Sequence, residues 1–232
     1  MTGKGDTAVR GAAAARLAEL IRSAGPVVAL TGAGISVPSG IPDFRTPGTG
    51  LWANVDPMAV AHISVWRRDP ARFWSFYGQR FSLLDGKRPN GAHFALAELE
   101  RRGLLAGVIT QNIDGLHAAA GSSDPVEVHG SVRTASCLRC RLRYALAETR
   151  ERLAADEEGV PRCDCGAPLK PDVVLFGELL PEDALHRASV MAGEADLMLA
   201  IVTQGETKYD GDAAVRLSGD VVAELEAVVA AL

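Results

Sequence analysis

The sequence predicts an α/β fold in which a mostly parallel sheet is combined with helices and a smaller inserted unit. Short apolar runs alternate along the chain with amphipathic stretches of helical length, and this alternation is typical of parallel sheets. The first apolar run, 27–30, is followed at once by Thr31-Gly32-Ala33-Gly34. A strand that ends in a glycine turn begins the phosphate site of doubly wound folds. A segment with four cysteines, 137–165, then interrupts the alternation.

Hydrophobic periodicity and chain breakers define the remaining elements. We expect helices over 12–23, 90–101, 182–193 and 220–232, with shorter helical pieces between 56 and 84. We expect strands over 27–30, 108–110, 126–128, 171–175 and 197–202. The aromatic residues of the 56–84 stretch are predicted to pack a small helical module.

Composition bounds the possible functions. The 232 residues are 47% hydrophobic, which is ample for a core, and the net charge of −5 gives no overall attraction to nucleic acid or anionic membranes. No segment has the pattern of a signal peptide, and no apolar run is long enough to span a bilayer. We therefore expect a cytoplasmic protein that binds neither a membrane nor nucleic acid directly.

Polar side chains follow the ends of three predicted strands. The glycine turn follows 27–30, the segment Gln111-Asn112-Ile113-Asp114-Gly115-Leu116-His117 follows 108–110, and His129-Gly130 follows 126–128. The carboxyl ends of parallel strands meet at one edge of a sheet, where open α/β folds hold their ligands. We expect a ligand site there. Of its histidines, His117 is predicted to be structural.

The loop after the first strand departs from the dinucleotide fingerprint. Gly32 and Gly34 fit its first two glycines, but Val37 stands where the third is required. Prolines and glycines then prevent a long helix, and the loop carries Asp43, Phe44 and Arg45. A loop of this length inside a compact domain is usually functional. The pattern predicts a nucleotide site with its own chemistry.

The cysteines form two short-range pairs, Cys137-x-x-Cys140 and Cys163-x-Cys165. This spacing resembles a zinc ribbon, in which four thiolates bind Zn²⁺ tetrahedrally and leave no position for substrate. We therefore predict one structural zinc ion. Unligated thiols or a disulfide remain the alternatives.

Four segments together resemble the sirtuins, which are NAD-dependent protein lysine deacylases. They are TGAGISVPSGIPDFR, TQNIDGLH, VHGS, and the cysteine pairs followed by PDVVLFGE, and the resemblance extends from about Val27 to Leu180. It implies a Rossmann-like domain over 1–52, 88–133 and 172–232. A helical module, 53–87, and a zinc module, 134–171, would form the small domain, with NAD and an acyl-lysine peptide bound in the cleft between the domains.

The resemblance also implies roles for individual residues. Gly32, Ala33 and Gly34 would cradle the pyrophosphate of NAD, and Phe44 would shield the reacting ribose carbon. The implied NAD-binding residues are Gly32, Ala33, Gly34, Ile35, Asp43, Phe44, Arg45, Gln111, Asn112, Ile113, Asp114, Thr203, Gln204 and Val221.

Catalysis is assigned by the resemblance to His129 and Asn112. A histidine that titrates near neutral pH can accept the proton relayed from the ribose hydroxyls, and the products would be free lysine, nicotinamide and O-acyl-ADP-ribose. An extended substrate peptide would pair with residues 174–178 as an added strand. The implied contacts are Val174, Phe176, Gly177 and Glu178.

Tyr77 and Arg80 bear on the acyl group. In the resembling family, Tyr-x-x-Arg at this place marks members that remove acidic groups such as succinyl or malonyl, since phenol and guanidinium donors suit a carboxylate. The other interpretation is an aromatic core position beside a surface arginine. Both stay open, and so does the acyl preference.

The resemblance fails after Ala200. The family continues into a Gly-Thr-Ser turn, a helix and another strand, whereas this sequence passes straight to Ile201-Val202-Thr203-Gln204. Either this segment of roughly twenty residues is deleted, or residues of the protein are absent from the sequence between Ala200 and Ile201. We expect the second, because a deletion would expose a sheet edge.

Two other functions are considered. The first is a module of the same fold that binds NAD or ADP-ribose but turns over poorly, which the lost turn favours and intact Asn112, Asp114 and His129 oppose. The second, a hydride-transferring dehydrogenase, is disfavoured by the incomplete glycine fingerprint.

Overall fold

The computed structural model describes residues 3–43, 50, 55–84, 86–202, 207 and 210–232, without the side chains of 3–10, 80 and 82. Its strands are β1 (Val27–Thr31), β2 (Gly107–Thr110), β3 (Val126–Glu127), β4 (Gly130–Cys137), β5 (Arg143–Ala145), β6 (Leu169–Val173) and β7 (Leu197–Ile201). Its α-helices are α1 (Gly3–Ser23), α2 (Ala33–Ser36), α3 (Pro57–Val60), α4 (Ile63–Arg68), α5 (Pro70–Leu83), α6 (Gly91–Arg101), α7 (Leu116–Ala120), α8 (Leu146–Ala155), α9 (Glu182–Glu194) and α10 (Val221–Ala231). Helix α1 begins upstream of the predicted residue 12, since no proline interrupts 3–23.

The first sheet is parallel, as predicted, and its strands lie in the order β3-β2-β1-β7. Strand β7 pairs with β1 from Val27 opposite Leu197 to Thr31 opposite Ile201. This register is unbroken across Ala200 and Ile201, and the expectation that residues are absent from the sequence between them stays a prediction. Because β7 pairs with β1 alone among the described strands, it is an edge strand, and the Met198 side chain is 40% exposed.

Helices cover both faces of the first sheet. The face covered by α1, α6 and α10 holds the largest apolar core of the described chain, which includes Ala18, Leu96, Leu99, Val108 and Val228. Helix α9 packs on the opposite face, against Val28, Ile109, Val126 and Val128. This layering fixes the carboxyl ends of the strands at one edge of the domain.

The second sheet is antiparallel, in the order β5-β4-β6. The strand predicted over 171–175 was expected to rejoin the parallel sheet, and this is wrong: β6 pairs with β4 instead. At Gly130, where the pairing of β4 with β6 begins, the two backbones lie very close together. Gly130 has φ of 74°, and a Cβ atom there would lie 2.1 Å from the Asp172 carbonyl oxygen, so only glycine fits.

The helical module shares a core with the second sheet. Phe73 and Trp74 are fully buried, which confirms their predicted packing role. The indole N–H groups of Trp66 and Trp74 both donate to the Leu169 carbonyl, each at 3.0 Å. Through this carbonyl, α4 and α5 hold the start of β6. No described helix combines the length and apolarity needed to cross a bilayer.

Candidate functional site

The carboxyl ends of β1 and β2 are joined by direct hydrogen bonds. The Gln111 N–H donates to the Thr31 carbonyl at 3.0 Å, and the Thr31 hydroxyl donates to Thr110 Oγ1 at 2.8 Å. Thr110 Oγ1 also accepts from the Asn112 N–H at 3.1 Å. The segment that follows β2 is therefore held against the segment that follows β1.

Asn112 is locked into the glycine turn. Its side chain is buried, and Nδ2 donates to the Gly32 carbonyl at 2.9 Å and to Ser36 Oγ at 3.1 Å. The Ser36 hydroxyl donates in turn to Asp114 Oδ2 at 2.7 Å, and Asp114 Oδ1 accepts from the Leu116 N–H at 2.9 Å. The structure thus brings Asn112, Asp114 and the glycine turn into one network, as predicted from their places at the strand ends.

Ser36 was not predicted as a site residue. Its hydroxyl joins Asn112 to Asp114, and it lies in the quoted glycine segment at the end of α2. A hydroxyl inside that segment is a signal that the sequence offered. The supporting contact of Asn90 with the same loop, through Nδ2 to the Ile35 carbonyl at 2.8 Å, joins residues far apart in the chain and had no local signal.

The imidazole of His129 is hydrogen-bonded to Gln111, which lies next to Asn112. Nδ1 lies 2.9 Å from the Gln111 carbonyl oxygen. A carbonyl only accepts, so Nδ1 carries the hydrogen and the neutral ring keeps its lone pair on Nε2. The half-buried His129 is thereby set in the tautomer that can take up a proton at Nε2.

The glycine turn also contacts the end of β7. The Gly32 N–H donates to the Ile201 carbonyl at 2.9 Å, and the Gly34 N–H donates to the Val202 carbonyl at 3.2 Å. A Cβ atom at Gly32 would lie 2.9 Å from Val202 Cγ1. Two of the three amides predicted to face a pyrophosphate are therefore hydrogen-bonded within the protein. The remaining one of the three is the Ala33 N–H.

A cavity of about 590 Å³ lies beside β7 at this edge. Its lining includes Gly34, Gln111, Val202 and Val221, so three predicted cofactor residues from distant parts of the chain border one space. Its volume is in the range of small-molecule sites.

The remaining predicted cofactor residues have different positions. Ile35 is fully buried in the core, so its side chain supports the turn from beneath. Ile113 and Asp43 are half-buried. Phe44, Arg45, Thr203 and Gln204 lie outside the described residues.

The predicted peptide-binding segment, 174–178, runs between His129 and the helical module. The Val174 N–H donates to the His129 carbonyl at 2.8 Å, and Phe176 pairs with the chain before α4, donating to the Ala61 carbonyl at 3.1 Å. Gly177 has φ of 82°, and a Cβ atom there would lie 2.4 Å from His62 Nε2. The segment is thus bonded to both the catalytic histidine candidate and the small domain.

Tyr77 lies on α5 within the aromatic core. Its ring stacks on Phe73 with centroids 4.5 Å apart, and the residue remains partly exposed. Arg80 lies on the same helix, and its side chain is outside the described part of the structure.

The four cysteines converge as a metal site requires. All four Sγ atoms lie within 4.8 Å of one another, with Cys137 to Cys165 at 3.5 Å and Cys140 to Cys163 at 3.3 Å. A disulfide needs about 2.05 Å, so these sulfurs are free thiols placed at the separation of ligands around one tetrahedral ion. Four sulfur ligands fit a closed structural Zn²⁺ site.

Two buried histidines lie beneath the site. His117 Nε2 is 2.9 Å from Thr31 Oγ1, and its ring lies 4.9 Å from that of His93. Burial, together with the nearby His93, lowers the pKa of His117 to about 3. Burial also lowers the pKa of His93, against a smaller opposing effect of Asp114. Both rings are neutral at physiological pH, so His117 supports β1 structurally.

Comparison with known proteins assigns the family. The model of the Sir2 family matches residues 32–208. The chain belongs to the Sir2 family. The matched span includes Gly32 to Gly34, the Asn112 network, His129 and all four cysteines.

Relatives of this Sir2-family chain include two archaeal proteins. An NAD-dependent protein deacetylase of Sulfolobus acidocaldarius is 48% identical over 190 residues, which cover 81% of this chain and 73% of the relative. An NAD-dependent protein deacylase of Thermococcus sibiricus is 45% identical over 182 residues, covering 78% and 71%.

Solved Sir2 structures share the fold. A Sir2 variant with a deacetylated p53 peptide and 3′-O-acetyl ADP ribose matches with a TM-score of 0.87 and 35% identity, over 93% of this chain and 96% of that one. A complex of Sir2Tm with a propionylated peptide matches with a TM-score of 0.82 and 33% identity, over the same shares. The Rossmann-like fold with a zinc-type cysteine module is therefore established for this chain.

Proposed function

We propose that this Sir2-family chain removes acyl groups from lysine side chains of proteins in an NAD-dependent reaction. The observation that carries the proposal is the single network that joins Asn112, Asp114 and the glycine turn, with His129 bonded to Gln111 at its border. Relatives that are 45–48% identical are named NAD-dependent deacylases and deacetylases.

The chain's residues have distinct tasks in this reaction. When bound, NAD supplies an electrophilic ribose carbon, nicotinamide as the leaving group, and the acceptor for the acyl group. His129 takes up the ribose proton at Nε2, because Nδ1 is committed to the Gln111 carbonyl. Asn112 orients the ribose, and its own position is set by Gly32 and Ser36.

Cofactor binding uses the cavity beside β7. Val221 and Gln111 border it together with Gly34, which supports the predicted NAD-binding roles of these residues. Ala33 provides an amide for the pyrophosphate. Asp43, Phe44, Arg45, Thr203 and Gln204 remain assigned by family resemblance, and the division of the chain into 1–52, 88–133 and 172–232 around the two inserted modules is proposed on the same basis.

Peptide binding uses the backbone of residues 174–178. Among the described residues, the Val174 carbonyl and the Gly177 N–H accept and donate no backbone hydrogen bond, so an extended substrate could pair with them. We propose an acetyl group as substrate. A succinyl or malonyl group is the second candidate, which rests on the resemblance of Tyr77 and Arg80 to the family's Tyr-x-x-Arg.

The compartment is proposed to be the cytoplasm. Four clustered thiols persist in a reducing environment, and the same cluster in an oxidising one would be prone to disulfide formation. The substrates would accordingly be cytoplasmic proteins, with no role for nucleic acid.

The test is nicotinamide release from NAD with acetyl-lysine and succinyl-lysine peptides, measured by liquid chromatography, with O-acyl-ADP-ribose detected by mass spectrometry. We expect His129→Ala to lower kcat by at least about 100-fold, as for loss of a general base. His186→Ala is the matched control, because His186 is exposed on α9. Equal rates in the wild type and His129→Ala would contradict the proposed role.

A binding module without turnover is the second candidate. The observation that favours it is that the Gly32 and Gly34 N–H groups donate to the Ile201 and Val202 carbonyls, which leaves fewer donors for a pyrophosphate. It predicts ADP-ribose binding by calorimetry with no nicotinamide release from any acyl peptide.

A further inference from the structure

Lys170 on β6 is a buried cation that the proposed chemistry does not use. The residue is 8% exposed. Its Nζ lies 3.1 Å from the Pro171 carbonyl oxygen, 2.9 Å from the Val173 carbonyl oxygen and 2.8 Å from Glu178 Oε2. An ammonium group has three N–H donors, so these three acceptors satisfy it completely.

Glu178 closes a turn at the end of the peptide-binding segment. Its Oε2 accepts from the Leu175 N–H at 2.9 Å, and its own N–H donates to the Leu175 carbonyl at 3.0 Å. Gly177, with φ of 82°, occupies the third position of this four-residue turn, where type II turns require a positive φ. Side chain and backbone of Glu178 therefore both hold Leu175.

The two residues join the second sheet to the segment proposed to bind substrate. Lys170 lies within β6, next to the Leu169 carbonyl that both tryptophan indoles hold, whereas Glu178 lies beyond the end of that strand. The Lys170–Glu178 ion pair thus fixes the turn relative to a strand that is itself fixed by α4 and α5.

We propose that Lys170 is a positioning residue for acyl-peptide binding, acting through Glu178 on the backbone of residues 174–178. This inference rests on the proposed deacylase function. Glu178 stays a predicted substrate contact as part of the backbone of 174–178, and its carboxylate holds the turn.

The expected consequence is specific to the peptide. Lys170 is buried and the Glu178 side chain is 24% exposed. Removing the Lys170 ammonium leaves this carboxylate without its cation, so the turn would open while the NAD site, across β1 and β2, keeps its network. We expect Lys170→Met to raise the KM for an acetyl-lysine peptide roughly ten-fold, while the KM for NAD changes less than about two-fold.

The experiment compares steady-state kinetics of the wild type, Lys170→Met, Lys170→Arg and Glu178→Gln. Arg187→Met is the matched control, because it breaks an exposed ion pair of 2.6 Å with Asp124. Thermal melting checks that each variant is folded, and hydrogen exchange followed by mass spectrometry reports the Leu175 amide. Lys170→Arg keeps the charge and the donors, so it should recover most of the peptide affinity.

The outcomes distinguish failure of the positioning role of Lys170 from failure of the proposed deacylase function. Faster exchange at Leu175 and a selective rise in peptide KM for Lys170→Met and Glu178→Gln support the inference. An unchanged peptide KM in folded Lys170→Met, with an active wild type, overturns it. A loss in Lys170→Arg equal to that in Lys170→Met also overturns it, because packing alone would then explain the effect. Absence of turnover in the wild type overturns the proposed function, and the positioning role falls with it.

Discussion

The two sides of β1 differ in their packing and hydrogen bonding. On the side of β2 and β3, Asn112, Ser36 and Asp114 bond to one another and to the glycine turn, and His129 bonds to Gln111. On the side of β7, the described sheet ends, Met198 is 40% exposed, and a cavity of about 590 Å³ borders the strand. The groups proposed to transfer the proton belong to the first side, and the cavity proposed to bind the cofactor belongs to the second.

This difference indicates that chemistry and cofactor affinity can vary separately in one fold. The matched part of the chain covers 71–73% of two Sir2-family relatives. We infer that the side of β2 and β3 sets kcat and that the side of β7 sets the affinity for NAD.

Removal of zinc should have the largest effect and should leave both sides of β1 in place. The core around the cysteines contains five buried residues, of which Cys137 and Cys163 are two. Structural zinc contributes on the order of 10 kcal/mol to the folding of small zinc peptides, so chelation should unfold β4 and β5 and abolish peptide-dependent turnover. Hydrogen exchange should show protection lost in the second sheet and retained in β1 and β2.

Leu138→Ala is the control for zinc removal, because Leu138 is an exposed residue between the first two cysteines and offers no thiol. Cys163→Ser should imitate chelation, and Leu138→Ala should not. Protection lost equally from both sheets would show that the two regions fold as one unit.

Asn112→Ala should have the next largest effect. The variant leaves the Gly32 carbonyl and the Ser36 hydroxyl without the amide donor that orients them. Because small misplacements of a reacting group cost about 100-fold in rate, we expect kcat/KM to fall by about that factor. Steady-state nicotinamide release measures it.

Met198→Ala tests the other side with the same assay. Met198 is exposed on β7, so kcat should change less than about three-fold if the comparison holds. If kcat fell as far in Met198→Ala as in Asn112→Ala, this would contradict the inference that only the side of β2 and β3 sets kcat.

The buried histidines affect stability and not rate, and their effect is confined to acid pH. Unfolded His117 binds a proton below a pH of about 6.5, whereas in the folded state its pKa is lowered to about 3 by burial and by His93. The unfolded state therefore binds more protons between these limits. The free energy of unfolding should fall with decreasing pH there, by about 1.4 kcal/mol per pH unit for one group, and stay constant above 6.5.

Urea denaturation between pH 4 and 8 measures this slope. His117→Gln should flatten it while keeping an N–H donor for Thr31, and His186→Gln, at an exposed position, should not. An unaltered slope in His117→Gln would assign the acid sensitivity to other groups.

Local patterns predicted the parts of the structure that short segments determine. The glycine turn, the polar residues after β2 and β3, and the paired cysteines each carry their signal within a few residues, and the parallel order of strands brings them together. The pairing of β6 with β4 was missed because the local sequence of an apolar strand does not specify which strand it will pair with. The contact of Gly177 with His62 depends on two distant segments and had no local pattern.

The expectation that residues are absent after Ala200 stays a prediction. A deletion was disfavoured because it exposes an edge, yet β7 retains its full register on β1 while carrying that exposure. Pairing on one side is sufficient to hold a short strand in the sheet when its side chains also pack in the core. Leu199 packs in this way and is 7% exposed.

The most direct test combines calorimetric titration of the zinc-loaded protein with NAD and quantification of nicotinamide released with an acetyl-lysine peptide. The account predicts measurable NAD binding, release that requires the peptide, and O-acetyl-ADP-ribose formed in equal amount to free lysine. NAD or ADP-ribose binding with no nicotinamide release from the folded, zinc-loaded protein would contradict it and would establish the binding module instead.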